Sequence, residues 1–204
     1  MELVRRASLD EVVAEWLRAE IASSRFGSRL EALLARDGRK RDLLEHPVLD
    51  DPEANAYRRR LLGEFRGFGL PTQPEPSYIG GFPVTEIAWW WAVVARDELP
   101  SIHFINWDYW VEATDGTRRP ETMVRRLNEE ANRQPGVPDT VLVSLRAGAA
   151  IPPLILVDSG PDTRVVVLEG HVRLLAYVLG GDSVPERLDV ILGRSPLVAS
   201  WDMY

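Results

Sequence analysis

The 204 residues carry 24 basic and 31 acidic side chains, a net charge of -7, and no cysteine. That length can bury one sizeable core. The acid excess gives no general attraction to nucleic acid or anionic membrane, and the lack of cysteine excludes disulfides, thiolate metal ligands and thiol nucleophiles. MELVRRASLDEVVAEWLRAE scatters acids through its apolar residues, unlike a secretory signal, and no run approaches the roughly 18 apolar residues of a membrane helix. The expected location is the cytoplasm. Residues 1–66 are balanced, with 13 acids and 13 bases, so the excess acid lies beyond them. Lys40 is the one lysine among the 24 basic residues, a bias that genome coding explains as well as function does.

In chain order, Ser8 and Glu11 have the spacing of a capping box opening a helix with Val12, Val13, Trp16, Leu17 and Ile21 on one face. A second apolar set, Phe26, Leu30, Leu33 and Leu34, ends at Asp37-Gly38, and Asp42–Glu45 can form a helical turn. Asp51-Pro52 opens a further helix that runs to Phe65 and stops near Gly67. Arg58-Arg59-Arg60 lies among acids and reads as a solvated face. Residues 68–83 are rich in glycine and proline; their aromatic content favours a loop pinned to the body over a free linker. Thr85 then caps an expected helix over EIAWWWAVVARDEL, whose three consecutive tryptophans, Trp89–Trp91, suit a buried helix or a partner surface.

IHFINWDYWVEA reads as a strand, and Pro120 starts a helix through Met123, Val124, Leu127 and Ala131. Strands are expected at TVLVSL, PLILVD, RVVVLE and LDVILG, with a helix over HVRLLAYVLGG. The expected architecture is therefore α/β (α+β): a helical part over 1–67, the pinned loop over 68–83, and an α/β part over 84–204, together forming a single compact domain over 1–204.

Chemistry concentrates at the join VVVLEGHVRLLAY. Gly170 permits a tight strand-to-helix turn, and the first helical turn presents N–H groups that attract an anion. Arg173 can hold phosphate oxygens with a forked contact, Glu169 can accept a proton or hold a divalent ion, and His171 can carry protons. The same residues can equally be a structural end to a strand. A second constellation interleaves Asn106, Asp108, Arg118 and Arg119 with Trp107, Tyr109 and Trp110, the mixture of aromatic walls and placed polar groups that a small-molecule pocket needs. There Asp108 would be a base or a metal ligand, Arg118 or Arg119 would take a carboxylate or phosphate, and Trp107 and Trp110 would form the wall.

PPLILVD, RVVVLEGHVRLLAYVLG and LDVILG together resemble the core of the ParB/sulfiredoxin-like superfamily, over about residues 138–195. The box that carries the resemblance is Gly170-His171-Val172-Arg173, with Ala176 beyond it. The resemblance implies phosphate contacts from Gly170, His171 and Arg173, a cofactor such as ATP or CTP with Mg²⁺, and a catalytic role for Glu169 like that of a glutamate in the free-serine kinases of that group. It cannot extend to sulfiredoxin chemistry, which needs a cysteine, and the single arginine in the box disfavours site-specific DNA partition. The sequence thus points to a nucleotide- or phosphate-binding protein, a Mg²⁺-dependent phosphotransferase in its fullest form, with a small molecule or nucleotide as partner. The competing class is a non-enzymatic interaction or regulatory module, with Trp89–Trp91 able to form a homodimer surface. DNA binding through Arg39–Arg41 and Arg58–Arg60 is the third.

Overall fold

The computed structural model describes residues 1–69, 79–129 and 136–204. Among the described residues the sheet has five strands: β1 (Glu2–Arg6), β2 (Ala88–Ala95), β3 (Leu154–Asp158), β4 (Val165–Glu169) and β5 (Arg187–Arg194), in the order β1-β2-β5-β3-β4. β3 and β5 run parallel; every other neighbour pair is antiparallel. The helices are α1 (Leu9–Ile21), α2 (Gly27–Arg36), α3 (Asp42–Glu45), α4 (Pro52–Arg66), α5 (Asp108–Ala113), α6 (Pro120–Glu129), α7 (Val137–Arg146) and α8 (His171–Gly180).

Strand alternation assigns the two faces. Trp89, Ile155, Val157, Val166, Leu168 and Ile191 join the side chains of α1 and α4 in one core, while Ala92, Val94, Leu154, Leu156, Val167, Val190 and Leu192 join those of α8 in the other. The sheet is therefore the middle layer between two helical layers. At about 1.5–3 kcal/mol per fully buried aliphatic side chain, this two-sided burial is what makes the fold favourable. The fold is a mixed α/β one with an N-terminal helical region on a small mixed sheet, as the sequence led us to expect.

Several local expectations hold in detail. Ser8 and Glu11 form the reciprocal capping box of α1. Asp51 caps α4 through the Ala54 N–H, and Gly67 ends it at φ +81°. Pro120 opens α6, and β3, β4, α8 and β5 fall where the apolar runs place them. Of the pinned loop, residues 70–78 lie outside the described residues, but its flanks Phe68, Ile79 and Phe82 are buried, with Phe68 against Trp16 and Phe82 against Trp201. Ala131 also lies outside the described residues.

Three assignments are overturned. EIAWWWAVVARDEL is not a helix: Ala88–Ala95 is β2, paired on both sides. Consecutive tryptophans suit a strand covered on both faces, since Trp89 enters one core while Arg6 lies 3.8 Å over the Trp90 ring and Arg5 5.3 Å over that of Trp91. IHFINWDYWVEA is not a strand: only His103 bridges to β4, at Val166, and Asp108–Ala113 is helical. TVLVSL lies within α7, whose start is fixed by the Asp139 carboxylate accepting from the Gly136 N–H at 2.7 Å. Leu142 there is buried while its neighbour Val143 is 63% exposed, the one-sided burial of a surface helix. β1 was not anticipated at all.

The arginine triplet also differs from expectation. Arg58 is buried and donates to the Leu43 and Val48 carbonyls and to Asn55, holding the stretch between α2 and α4. Arg59 pairs with Asp10, Arg60 with Asp37, Arg39 with Glu53 and Arg41 with Glu31 and Glu45, so these cations do not form an open positive face.

Gly193 faces Trp89 across the β2–β5 pair, and a Cβ there would lie 2.5 Å from the Trp89 ring and 2.8 Å from Ile87. Gly193→Ala is expected to destabilise by about 1–3 kcal/mol through overpacking, read as a lower urea midpoint with an unchanged slope.

Candidate functional site

The β4 run Val165–Leu168 carries the chain to Glu169, and Gly170 turns it into α8 with φ +99°. A Cβ at Gly170 would lie 2.7 Å from Leu154 and 3.0 Å from the Arg173 guanidinium, so only glycine fits this turn. The Leu174 N–H closes the first helical turn on the Gly170 carbonyl at 2.8 Å. The earlier amides, from His171 to Arg173, point out of the helix end, where they favour negative charge.

Glu169 and Arg173 are four residues apart and form an ion pair, with side chains 15% and 10% exposed. The other guanidinium nitrogen of Arg173 donates to the carbonyls of Pro152 at 2.6 Å and Pro153 at 3.2 Å. The arginine is thus fixed from three directions, and its donors are largely committed to the protein. Burial pushes the Glu169 carboxyl well above the ordinary carboxylate range; Arg173 pulls it back, and the negative charge of Glu20 pushes it further up.

Glu20 and Arg66 enter from the helical layer, and sequence reading missed both. Glu20 is 4% exposed and accepts from Arg66 Nε at 2.7 Å and from Trp16 Nε1 at 3.3 Å. The Arg66 guanidinium lies 3.9 Å over the Phe26 ring and 4.6 Å over that of Phe65. A carboxylate on the apolar stripe of α1, four residues after Trp16, was the legible signal for Glu20. Nothing local in α4 announces Arg66, whose partner is far away in sequence. Two carboxylates and two guanidiniums therefore act on one another where the helical layer approaches the β4–α8 turn.

The two sequence constellations meet at a single point. Trp110 stacks on His171, with ring centroids 5.3 Å apart, and on Phe104 at 4.2 Å. Burial, reinforced by the Arg173 charge, depresses the His171 imidazole to about 3, so it is neutral at physiological pH and is not the near-neutral proton carrier expected. The remaining residues go elsewhere. Asp108 is exposed at the first position of α5 and Trp107, half-buried, precedes it. Arg119 donates to the Ser101 carbonyl at 2.7 Å, and Arg118 is directed to the main chain of Met203 and Tyr204.

A concavity of about 400 Å³ lies away from this turn, lined in part by Leu3, Val94, Ser101, Asp158, Asp162 and Arg194. Among the described residues no group of three or more His, Asp or Glu side chains could hold a metal ion. A Mg²⁺ ion here would depend on phosphate oxygens and water for most of its shell, the usual arrangement in nucleotide sites.

His171 at about 3 and His103 at about 4 both lie below the ordinary imidazole value of 6.5, the latter through burial and then the charges of Arg119, Arg164 and Arg118. The unfolded chain therefore takes up protons first as pH falls below 6.5, and stability present above that pH is lost below it. Glu169 acts oppositely, since its raised value favours the fold as pH falls from neutrality. Urea midpoints followed from pH 8 to pH 4 are expected to fall less steeply for His103→Gln than for the parent chain; an identical slope contradicts this assignment. Compared with known protein families, with curated proteins and with solved structures, the chain gives no match.

Proposed function

We propose that the chain binds a nucleotide or another phosphate-bearing small molecule at the β4–α8 turn, and that Glu169 takes the proton of a hydroxyl substrate in a phosphotransfer. The observation that carries this reading is the placement of Glu169: a largely buried carboxyl, raised towards neutrality, beside a helix start that favours an anion. A carboxylate with that affinity for protons is a better base than an exposed one. The likeness of Gly170-His171-Val172-Arg173 to the ParB/sulfiredoxin-like box supports the same assignment. Phosphate would meet the amides of the first α8 turn, and Mg²⁺ carried by a nucleotide would neutralise its charge. Trp110, stacked on the neutral His171, offers an aromatic surface beside that turn.

A second reading has its own support. Arg173 already serves two carbonyls and Glu169, which is how an arginine locking a scaffold behaves, and this favours a non-enzymatic interaction module. The proposed partner surface at Trp89–Trp91 is weakened, because Trp89 is core and arginines cover the other two.

Calorimetry with ATP and CTP in the presence of Mg²⁺, combined with crystal soaks, separates the readings. Binding with density at residues 169–173 is expected, retained in Glu169→Gln while phosphotransfer falls by about 10²-fold or more, as loss of a general base does. Absence of binding by either nucleotide sinks the proposal and leaves the scaffold reading.

A further inference from the structure

Away from the β4–α8 turn, the concavity of about 400 Å³ has a polar floor of its own. Asp158 and Arg194 are the last residues of the parallel strands β3 and β5 and stand opposite each other in the register. After Asp158 the chain turns back to β4. After Arg194 it enters the turn Pro196–Ser200, whose Val198 joins the core shared with α1 and α4. In open sheets a crevice beyond the carboxyl ends of parallel strands, where their connections part, is the usual place for a ligand.

The strand ends are fixed rigidly. Asp158 is 2% exposed, and its two carboxylate oxygens accept from Arg194 Nε and Nη2, both at 2.7 Å. Its carbonyl accepts from the Ser195 N–H at 3.2 Å, tying β3 to β5. The carboxylate bonds set the plane of the guanidinium and hold it charged. They leave Nη1 over: among the described residues it meets no acceptor, and it is not shut off from solvent. Asp162, on the β3–β4 connection, lines the same crevice and its charge acts on Arg194. Among the described residues the Asp162 carboxylate forms no hydrogen bond or ion pair. Glu98 also lines the crevice, but its oxygens are taken by the Ala95 N–H, at 2.8 Å, and by the Met1 amino group. On the side of β1 and β2 the wall is apolar, with Leu3 and Val94.

We propose that this crevice binds a small amphoteric molecule of the α-amino-acid kind. Its carboxylate meets Arg194 Nη1, its ammonium meets Asp162, and its apolar side chain lies along Leu3 and Val94. A guanidinium donor and a carboxylate left unpaired in one crevice are complementary to a zwitterion, whereas a ligand with either charge alone leaves the other unanswered. The apolar wall favours an aliphatic side chain. None of this rests on the reading of the β4–α8 turn.

The test is calorimetric titration at neutral pH and constant ionic strength with norleucine, hexylamine and hexanoate, which share one carbon-chain length and differ in head group. The proteins are the parent chain, Asp162→Asn, Arg194→Lys and Glu169→Gln. Norleucine is expected to bind about tenfold tighter than either of the others, and about tenfold weaker in Asp162→Asn, as loss of one charge-assisted contact gives. Arg194→Lys keeps a charge for Asp158 but has no second nitrogen to spare, and is expected to weaken binding similarly. Glu169→Gln is expected to bind like the parent chain; loss of binding there would move the ligand to the β4–α8 turn and overturn the proposal. It is overturned as well if norleucine does not bind, if hexylamine or hexanoate binds as tightly, or if Asp162→Asn makes no difference. Asp162 is exposed, so its variant decides the matter if Arg194→Lys impairs folding.

Discussion

The requirement that β3 and β5 be apolar on both faces at once governs this molecule. Strands of that kind need a helical layer on each side, and the chain supplies the first layer from residues before β2 and the second from α6, α7 and α8. The crossover between parallel β3 and β5 passes through β4 and α8, so the turn joining those two elements is set by the sheet itself. Glu169 and Arg173 are consequently placed by the fold's central connection and not by a surface loop. Their partly shielded position between the layers follows from the same cause.

That placement sets the chemical character of the turn. Desolvation works against both charges of the Glu169–Arg173 pair, and the pair persists because the arginine also satisfies two carbonyls. Glu20 and Arg66 bring a second pair from the opposite layer, so the local charge is balanced overall while the Glu20 charge acts on Glu169. A balanced, half-shielded cluster of this kind is compatible with rigidity and with proton transfer alike.

Sequence was informative wherever the local pattern and the tertiary environment agreed. The valine run, Gly170 and the helical spacing beyond it specified β4, the turn and α8, and Ser8, Asp51 and Gly67 specified helix ends through their own short-range bonds. It misled where a period was mixed. Three tryptophans in succession fit no one-sided helix, and their location in a strand depends on cover from β1, which pairs across more than 80 residues. The β-branched residues of TVLVSL favour a strand intrinsically, but Pro138 and the Asp139 cap start a helix there. In the candidate site, Glu169 and Arg173 were legible from their place at the join between an apolar run and a helical pattern. Arg66 was not, because its partner Glu20 is brought to it by the fold from a distant segment.

The near-exclusive use of arginine acquires a meaning at two positions. Arg58 and Arg173 each reach three acceptors, most of them main-chain oxygens, from both terminal nitrogens of a planar fork. An ammonium is a point donor and cannot span such acceptors in their fixed directions. Whatever genomic bias filled the chain with arginine, these two cations have become structural tie-points, where exchange for lysine would preserve the charge and lose the join.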